Sequence, residues 1–344
     1  MPAKLRFAAI GLNHGHIYMQ VDRVADAGGE LVAYYSLEDD LAAEFGKRYP
    51  DARRVSTPAA ILDDNSIALI VTAAIPGDRA GIAIEAMRHG KDVMTDKPGM
   101  TSLDQLAELR RVQAETGRIF SVYYEERFEN PATIRAMELV RAGAIGRFVH
   151  MLGLGPHLIR KPSRPGWFFE RARYGGIITD IGSHQCDQFL YLADSLDVKV
   201  TSAKIANRAN PDTPELQDVG EAMLEGPESS GYFRLDWFTP TGLPVFGDCR
   251  VLIVGTEGTI EVRKYIDIGR DGVQPALILC DAKGLRNIDF ADVEPQYGHR
   301  LVADILDRTE TAMSQAHCFK AMELALQAQA LAEAAGQERA GHSS

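Results

Sequence analysis

Cysteine is scarce. The 344-residue chain has four, Cys186, Cys249, Cys280 and Cys318, far apart. None belongs to a C-x-x-C pair, so neither a disulfide framework nor the spacing of a structural zinc site is present, and a reducing compartment fits. No apolar run approaches the ~20 residues that span a bilayer. The first run, from Leu5, is sized and flanked as a strand rather than a secretion signal. Dense Lys/Arg clusters are also missing, and 37 basic against 48 acidic residues leave a formal charge of −11. That balance counts against nucleic acid or an anionic membrane as a partner. What is present is ordinary globular material, 45% apolar and 25% charged, in a chain long enough for two cores. A soluble, cytoplasmic protein without a metal site is expected.

Up to about residue 124, apolar runs without alternation recur at "LRFAAIGL" (5–12), "LVAYYS" (31–36), "IALIVTAA" (67–74), "DVMT" (92–95) and "IFSVYY" (119–124). Such runs suit parallel strands covered on both faces. Helical segments with legible ends lie between them. Ile17, Val21 and Val24 share one face ahead of Gly28-Gly29; Thr57-Pro58 and Asp78 read as helix starts; Ser102 and Gln105 form a capping box that Gly117 closes. The alternation predicts a doubly wound Rossmann domain over 1–124, with ligands beyond the strands' carboxyl ends. From 125 to 344 the texture changes. One helix (131–143), a loop rich in Arg, Pro and Trp, a helix near Asp180 and a series of strands predict an α+β domain with a mostly antiparallel open sheet. An alanine-rich helix, roughly 316–335, follows.

Four stretches hold residues suited to chemistry. "GLNHGH" (11–16) follows the first strand and precedes a helix, where free N–H groups and the helix dipole suit a pyrophosphate. Gly11 permits the tight turn, Asn13 tolerates a left-handed backbone, and His14 and His16 can donate to phosphate; the bland alternative is a turn with capping histidines. At the end of the second strand Ser36 stands where an acidic residue normally clamps the ribose. Glu38 lies within reach, although Ser36 with Asp39 also reads as a helix cap. The acidic run and the lack of an adjacent arginine favour NAD over NADP. "DKP" (96–98) places Lys97 past the fifth strand, aimed at the crevice or simply at solvent. In "YGGIITDIGSHQCDQFLYL" (174–192), Asp180, His184, Asp187 and Tyr191 form a polar stripe. An Asp one turn from a His can orient and charge-stabilise a general base; a helix-capping Asp180 and a solvated His184 are the alternative.

Together these segments resemble the Gfo/Idh/MocA oxidoreductase family, which includes glucose–fructose oxidoreductase and inositol dehydrogenases. "GKDVMTDKP" (90–98) is similar to the family's G-K-H-V-x-x-E-K-P, with Asp96 in place of glutamate. "YYEERFENPATIRAMELVRAGAIGR" (123–147) is similar to its link into the second domain. "GGIITDIGSHQCDQFLYL" resembles G-G-G-x-L-x-D-x-G-x-H-x-x-D, and "GTEGTIEVR" (255–263) a late sheet element. The chain departs from the pattern at the first loop, at Ser36 and at "AAIPGDR" (73–79), where Arg79 replaces a histidine.

The resemblance implies an NAD(P)-dependent dehydrogenase acting on a secondary alcohol of a sugar, cyclitol or derivative. It assigns catalysis to Lys97, Asp180 and His184, with cofactor contacts at Gly11, Leu12, Asn13, His14, His16, Ser36, Ala73 and Lys97. Tyr123, His157, Arg160, Arg164, Trp167 and His184 are the candidate substrate contacts, since aromatic faces and planar donors suit polyols. A homodimer or homotetramer through the open face of the second sheet is also implied. Two other readings stay open: redox-neutral elimination at the same site with NAD, and a catalytically silent sugar or dinucleotide sensor.

Overall fold

The continuous apolar runs form the first sheet. The computed structural model describes residues 4–341. In chain order the first elements are β1 (Arg6–Ile10), α1 (His16–Asp26), β2 (Glu30–Tyr35), α2 (Asp39–Arg48), β3 (Arg53–Arg54), α3 (Ala59–Leu62), β4 (Leu69–Thr72), α4 (Pro76–Arg88), β5 (Asp92–Asp96), α5 (Leu103–Thr116) and β6 (Phe120–Tyr123). All six strands are parallel, in the order β3-β2-β1-β4-β5-β6. The order reverses between β1 and β4, the switch point where doubly wound sheets open a ligand crevice. Ile17, Val21 and Val24 are buried on α1. Ser102 Oγ accepts from Gln105 N at 3.1 Å, and Gly117 closes α5 in the left-handed region. Two helix starts differ from the sequence reading. Pro76 begins α4, so Asp78 lies in its first turn, and α3 is a single turn capped by Pro58 without a side-chain bond.

The next elements are α6 (Glu125–Phe128), α7 (Pro131–Arg141), β7 (Phe148–Pro156), α8 (Arg171–Tyr174), a π-helical turn (Ile178–Gly182) and α9 (Ser183–Ala193). After them come β8 (Lys199–Ala206), β9 (Val219–Glu225), β10 (Ser230–Asp236), β11 (Arg250–Gly255), β12 (Gly258–Arg263), β13 (Ala276–Asp281) and β14 (Gly284–Asn287). Finally α10 (Tyr297–Asp307) precedes α11 (Gln315–Gly341). The eight strands β7 to β14 form one sheet, antiparallel except where β7 pairs with β10. Helix α9 is buried nearly all round. A Cβ at Gly153 of β7 would overlap the Gln185 side chain, so glycine there lets the helix lie directly on the sheet.

Compact units do not follow the expected 1–124 and 125–344 division. The first takes residues up to Tyr124 together with Ala172–Gly175 and Gln296–Phe319; the second takes the rest. Polar contacts hold the returning segment to the Rossmann sheet. Arg308 clasps the buried Asp92 at 2.8 and 3.0 Å, Tyr297 Oη meets Ser121 Oγ at 2.6 Å, and Gln315 Oε1 accepts from Phe120 N at 3.0 Å. Helix α10 was not foreseen, although its buried Leu301, Val302 and Ile305 have helical spacing.

Candidate active site

The loop after β1 makes its turn without the usual second glycine. Gly11 has φ 81°, and a Cβ there would collide with that of Ala74, so only glycine fits. Gly11 N donates to Tyr35 O at 2.9 Å, Ala73 N to Gly11 O at 3.1 Å, and His14 N to Ala73 O at 2.9 Å. These bonds tie the loop across the ends of β2 and β4. Leu12 and Ala73 are buried beneath it. Helix α1 begins at His16 with no acidic residue in its first turn, which leaves its positive end facing the loop. A glycine cradle before a helix start fits a dinucleotide pyrophosphate.

Both loop histidines contact a buried carboxylate. His14 Nδ1 and His16 Nδ1 each lie 2.9 Å from one oxygen of Asp96, and Arg79 Nη2 lies 2.9 Å from Asp96 Oδ2. Burial would push the Asp96 carboxyl up, but Arg79, His16 and His14 outweigh it and hold it well below the carboxylate range. An ionised Asp96 accepts, so each Nδ1 donates. In neutral His14 this leaves only a lone pair on Nε2, and the expected donation to phosphate does not hold for that residue. Arg79 also donates to Ala74 O (2.7 Å), Lys97 O (2.5 Å) and Pro98 O (3.0 Å). Three of the departures from the family pattern, the loop histidines, Asp96 and Arg79, are therefore one network around a buried carboxylate. It also positions Lys97, whose N–H donates to Asp96 Oδ1 at 2.8 Å.

This network makes a pH prediction. Burial, followed by the charge of His16, lowers the His14 pKa from 6.5 to about 4. Unfolded His14 takes a proton below pH ~6.5, whereas folded His14 waits until about 4. Its contribution is fully present above pH ~6.5 and is lost as pH falls towards 4; the 30% exposure of the side chain limits the size. The fall in Tm over that window should be shallower in His14→Gln than in wild type. Parallel Tm curves would show that His14 titrates normally.

At the end of β2, Ser36 is not a helix cap: α2 has Glu38 at its N-cap with no side-chain cap bond. Ser36 Oγ donates to Glu38 Oε2 and Asn13 Nδ2 to Glu38 Oε1, both at 2.8 Å. A carboxylate is thus fixed beside the loop, two residues later in sequence than usual. Ser36 and Asp39 line a cleft of about 470 Å³ that also contains Arg54. An arginine is therefore close in space though not in sequence, and Asp39 neutralises it at 2.5 Å.

The second unit holds the other candidates. His184 is buried, and its Nε2 lies 3.1 Å from Glu125 Oε1 on α6. A solvated His184 is thereby excluded, and its partner Glu125 is a candidate that sequence reasoning missed. Asp180 falls inside the π-turn, one short element before His184. The polar stripe exists, but it packs inward. Arg127 forks onto Asp187 with two bonds of 2.7 Å and stacks over Tyr191 at 4.7 Å. Beside it, buried Glu126 accepts from Lys264 Nζ and from Gln188 Nε2 at 3.1 Å. Burial pushes the Glu126 carboxyl up; Lys264 and then His184 bring it down to about 2.

Of the candidate substrate contacts, the fold groups three and separates two. His157 and Arg164 both face the Trp237 ring, at 5.5 and 5.2 Å, and Arg164 lies 4.2 Å over Phe168. Trp167 stands 6.2 Å from Phe168. Trp237 and Phe168 were not foreseen, because their partners are distant in sequence. Arg160 is exposed with φ 48°. Tyr123 is fully buried with its ring 5.4 Å from that of Tyr297, so it belongs to the core of the first unit.

Residues 5–124 match the NAD-binding Rossmann fold of the oxidoreductase family, and residues 133–261 the GFO/IDH/MocA C-terminal domain. The chain belongs to the Gfo/Idh/MocA family, and its first unit is an NAD-binding domain. A protein of known structure from Erwinia carotovora atroseptica is 44% identical, with a TM-score of 0.93 over 96% of this chain and 99% of its own. The scyllo-inositol 2-dehydrogenase (NAD(+)) of Bacillus subtilis is 26% identical over 263 residues, 76% of this chain and 74% of that protein. A levoglucosan dehydrogenase, solved with NADH and levoglucosan, shares the fold at a TM-score of 0.81 and 19% identity over 98% of each chain.

Proposed function

We propose that the protein is an NAD-dependent dehydrogenase oxidising a secondary alcohol of a sugar, cyclitol or derivative. The observation that supports this best is the buried imidazole of His184 with a carboxylate at 3.1 Å, in a chain with an NAD-binding domain. Bound NAD supplies the hydride acceptor. The loop from Gly11 to His16 holds its pyrophosphate through backbone N–H groups, and Glu38 takes the adenosine ribose. His184 removes the hydroxyl proton, and Glu125 stabilises the imidazolium that results. Asp180 orients the site. Lys97 donates to the reacting oxygen and offsets its developing negative charge. Arg164 and Trp167, with Trp237, meet the polyol. The implied homo-oligomer would use the sheet face that exposes Met223.

A thermal-shift screen with NAD, NADP and a panel of inositols, aldoses and polyols tests this, followed by absorbance of the reduced nicotinamide. Stabilisation with turnover is expected. Stabilisation without turnover would favour the silent sensor, and no response to either dinucleotide would overturn the reading. The cofactor preference has its own test. Glu38 repels a 2′-phosphate and accepts from the ribose, so Glu38→Ala should weaken NAD at least tenfold, the size of one charge-assisted hydrogen bond of ~1.5–3 kcal/mol. NADP should lose much less. Equal losses in calorimetric titrations at one ionic strength would remove Glu38 from the ribose.

A further inference from the structure

The second unit brings together a donor set that the sequence scatters over 124 positions. One carboxylate oxygen of Glu126, one ring nitrogen of His157 and the sulfur of Cys249 all lie within 4.8 Å of one another. We propose that these three side chains bind a divalent, borderline-soft metal ion of the zinc class. The inference stands on the donor set and not on the dehydrogenase reading.

The three residues come from different elements: α6, the segment after β7, and the approach to β11. Nitrogen, sulfur and carboxylate oxygen in one cluster is the donor chemistry of zinc, cobalt and their neighbours; calcium and magnesium take oxygen alone. A second observation points to a ligand. Glu126 is 2% exposed, and all its donors, Lys264, Gln188 and Gln185, approach Oε2. Oε1 is buried and accepts no hydrogen bond. A buried carboxylate oxygen left unsatisfied costs free energy that a cation at Oε1 recovers.

The surroundings resemble those of ligating groups. His157 Nδ1 lies 3.1 Å from Gly155 O, the carbonyl contact that fixes a tautomer with a lone pair on Nε2. Phe246 and Trp237 rings pack against the same imidazole at 5.0 and 5.5 Å, which restricts its orientation. Cys249 is 1% exposed, and it is the thiol that belongs to a group of three such donors among the described residues. On binding, the Cys249 S–H bond breaks, its proton passes to solvent and the thiolate bonds the metal. The ion, thiolate, carboxylate and Lys264 ammonium then sum to a single positive charge. Three protein donors leave a fourth position for water or a substrate hydroxyl. In the other cluster with ligand spacing among the described residues, His14, His16 and Asp96, both carboxylate oxygens are already taken by the two Nδ1 atoms.

The test uses the full-length protein, stripped with dipicolinate and dialysed, then titrated with Zn²⁺ and with Co²⁺. One metal per chain by plasma mass spectrometry is expected, with a near-ultraviolet thiolate–cobalt band and release of one proton per ion. Cys249→Ser should lose that band and bind Zn²⁺ at least tenfold more weakly. If that variant does not fold, wild-type alkylation decides, because bound Zn²⁺ should protect one thiol. Retention below a tenth of an equivalent, or a cobalt spectrum lacking the thiolate band, would overturn the proposal. None of these readouts needs turnover, so failure here is distinguishable from failure of the dehydrogenase reading.

Discussion

His184→Ala and Lys97→Ala should each lose most of kcat, with NAD affinity changed little. A missing general base lowers a rate by ~10²–10⁴, and His184 is the buried imidazole that a carboxylate supports. Lys97 is 8% exposed, with its N–H on Asp96 and its carbonyl on Arg79, so the backbone is fixed before the ammonium is placed. Removing both residues should cost much less than the product of the single losses, because groups that serve one proton transfer are not additive. Glu125→Gln separates orientation from charge: it keeps a polar partner for His184 and removes the stabilisation of imidazolium. Its loss should fall between wild type and His184→Ala. Near wild-type turnover of both alanine variants on an identified substrate would defeat the mechanism.

Asp96→Ala should destabilise the protein by ~3–5 kcal/mol, the usual cost of leaving a buried charge without its partner. Arg79 is 1% exposed and Asp96 fully buried, and the same carboxylate also holds His14 and His16. The loss should appear as a lower urea midpoint with an unchanged slope. Asp96→Ala/Arg79→Met should recover part of it, since the uncompensated guanidinium is gone. Asp96→Glu keeps the charge but adds a methylene to a packed site, for a loss of ~1–3 kcal/mol. NAD binding by the alanine variant, measured well below its midpoint, should weaken at least tenfold as the loop loses its tether. A midpoint equal to wild type would show that the network adds nothing to stability.

Much of the Rossmann half was legible because its signals are local. Apolar runs, Ser102 with Gln105, Gly28 and Gly117 each act within a few residues, and the strands and helix ends appear close to where those signals stand. The second sheet was legible as strands but not in its order, since β7 pairs with β10 and β11 across long loops. The candidate site divided along the same line. Lys97 and His184 stand out as candidates from motifs. Glu125 and Trp237 were missed because what marks each is a neighbour distant in sequence that no motif encodes, the His184 ring and the Arg164 guanidinium; Glu38 stood within reach of the ribose in the sequence, but its anchoring by the Asn13 amide did not show there.

By itself, then, the sequence determined the two architectures, the residue types at the candidate positions and the glycine that the first turn requires. Short-range sterics, periodicity and capping act on neighbours in the chain, so they can be read there. The tertiary structure decided which charges meet. Only folding shows that Arg79, Asp96, His14 and His16 are one network, that 296–319 returns to the first unit, and that Glu126, His157 and Cys249 converge. A buried charge is stable only beside a partner, and which residue becomes that partner depends on how the whole chain packs.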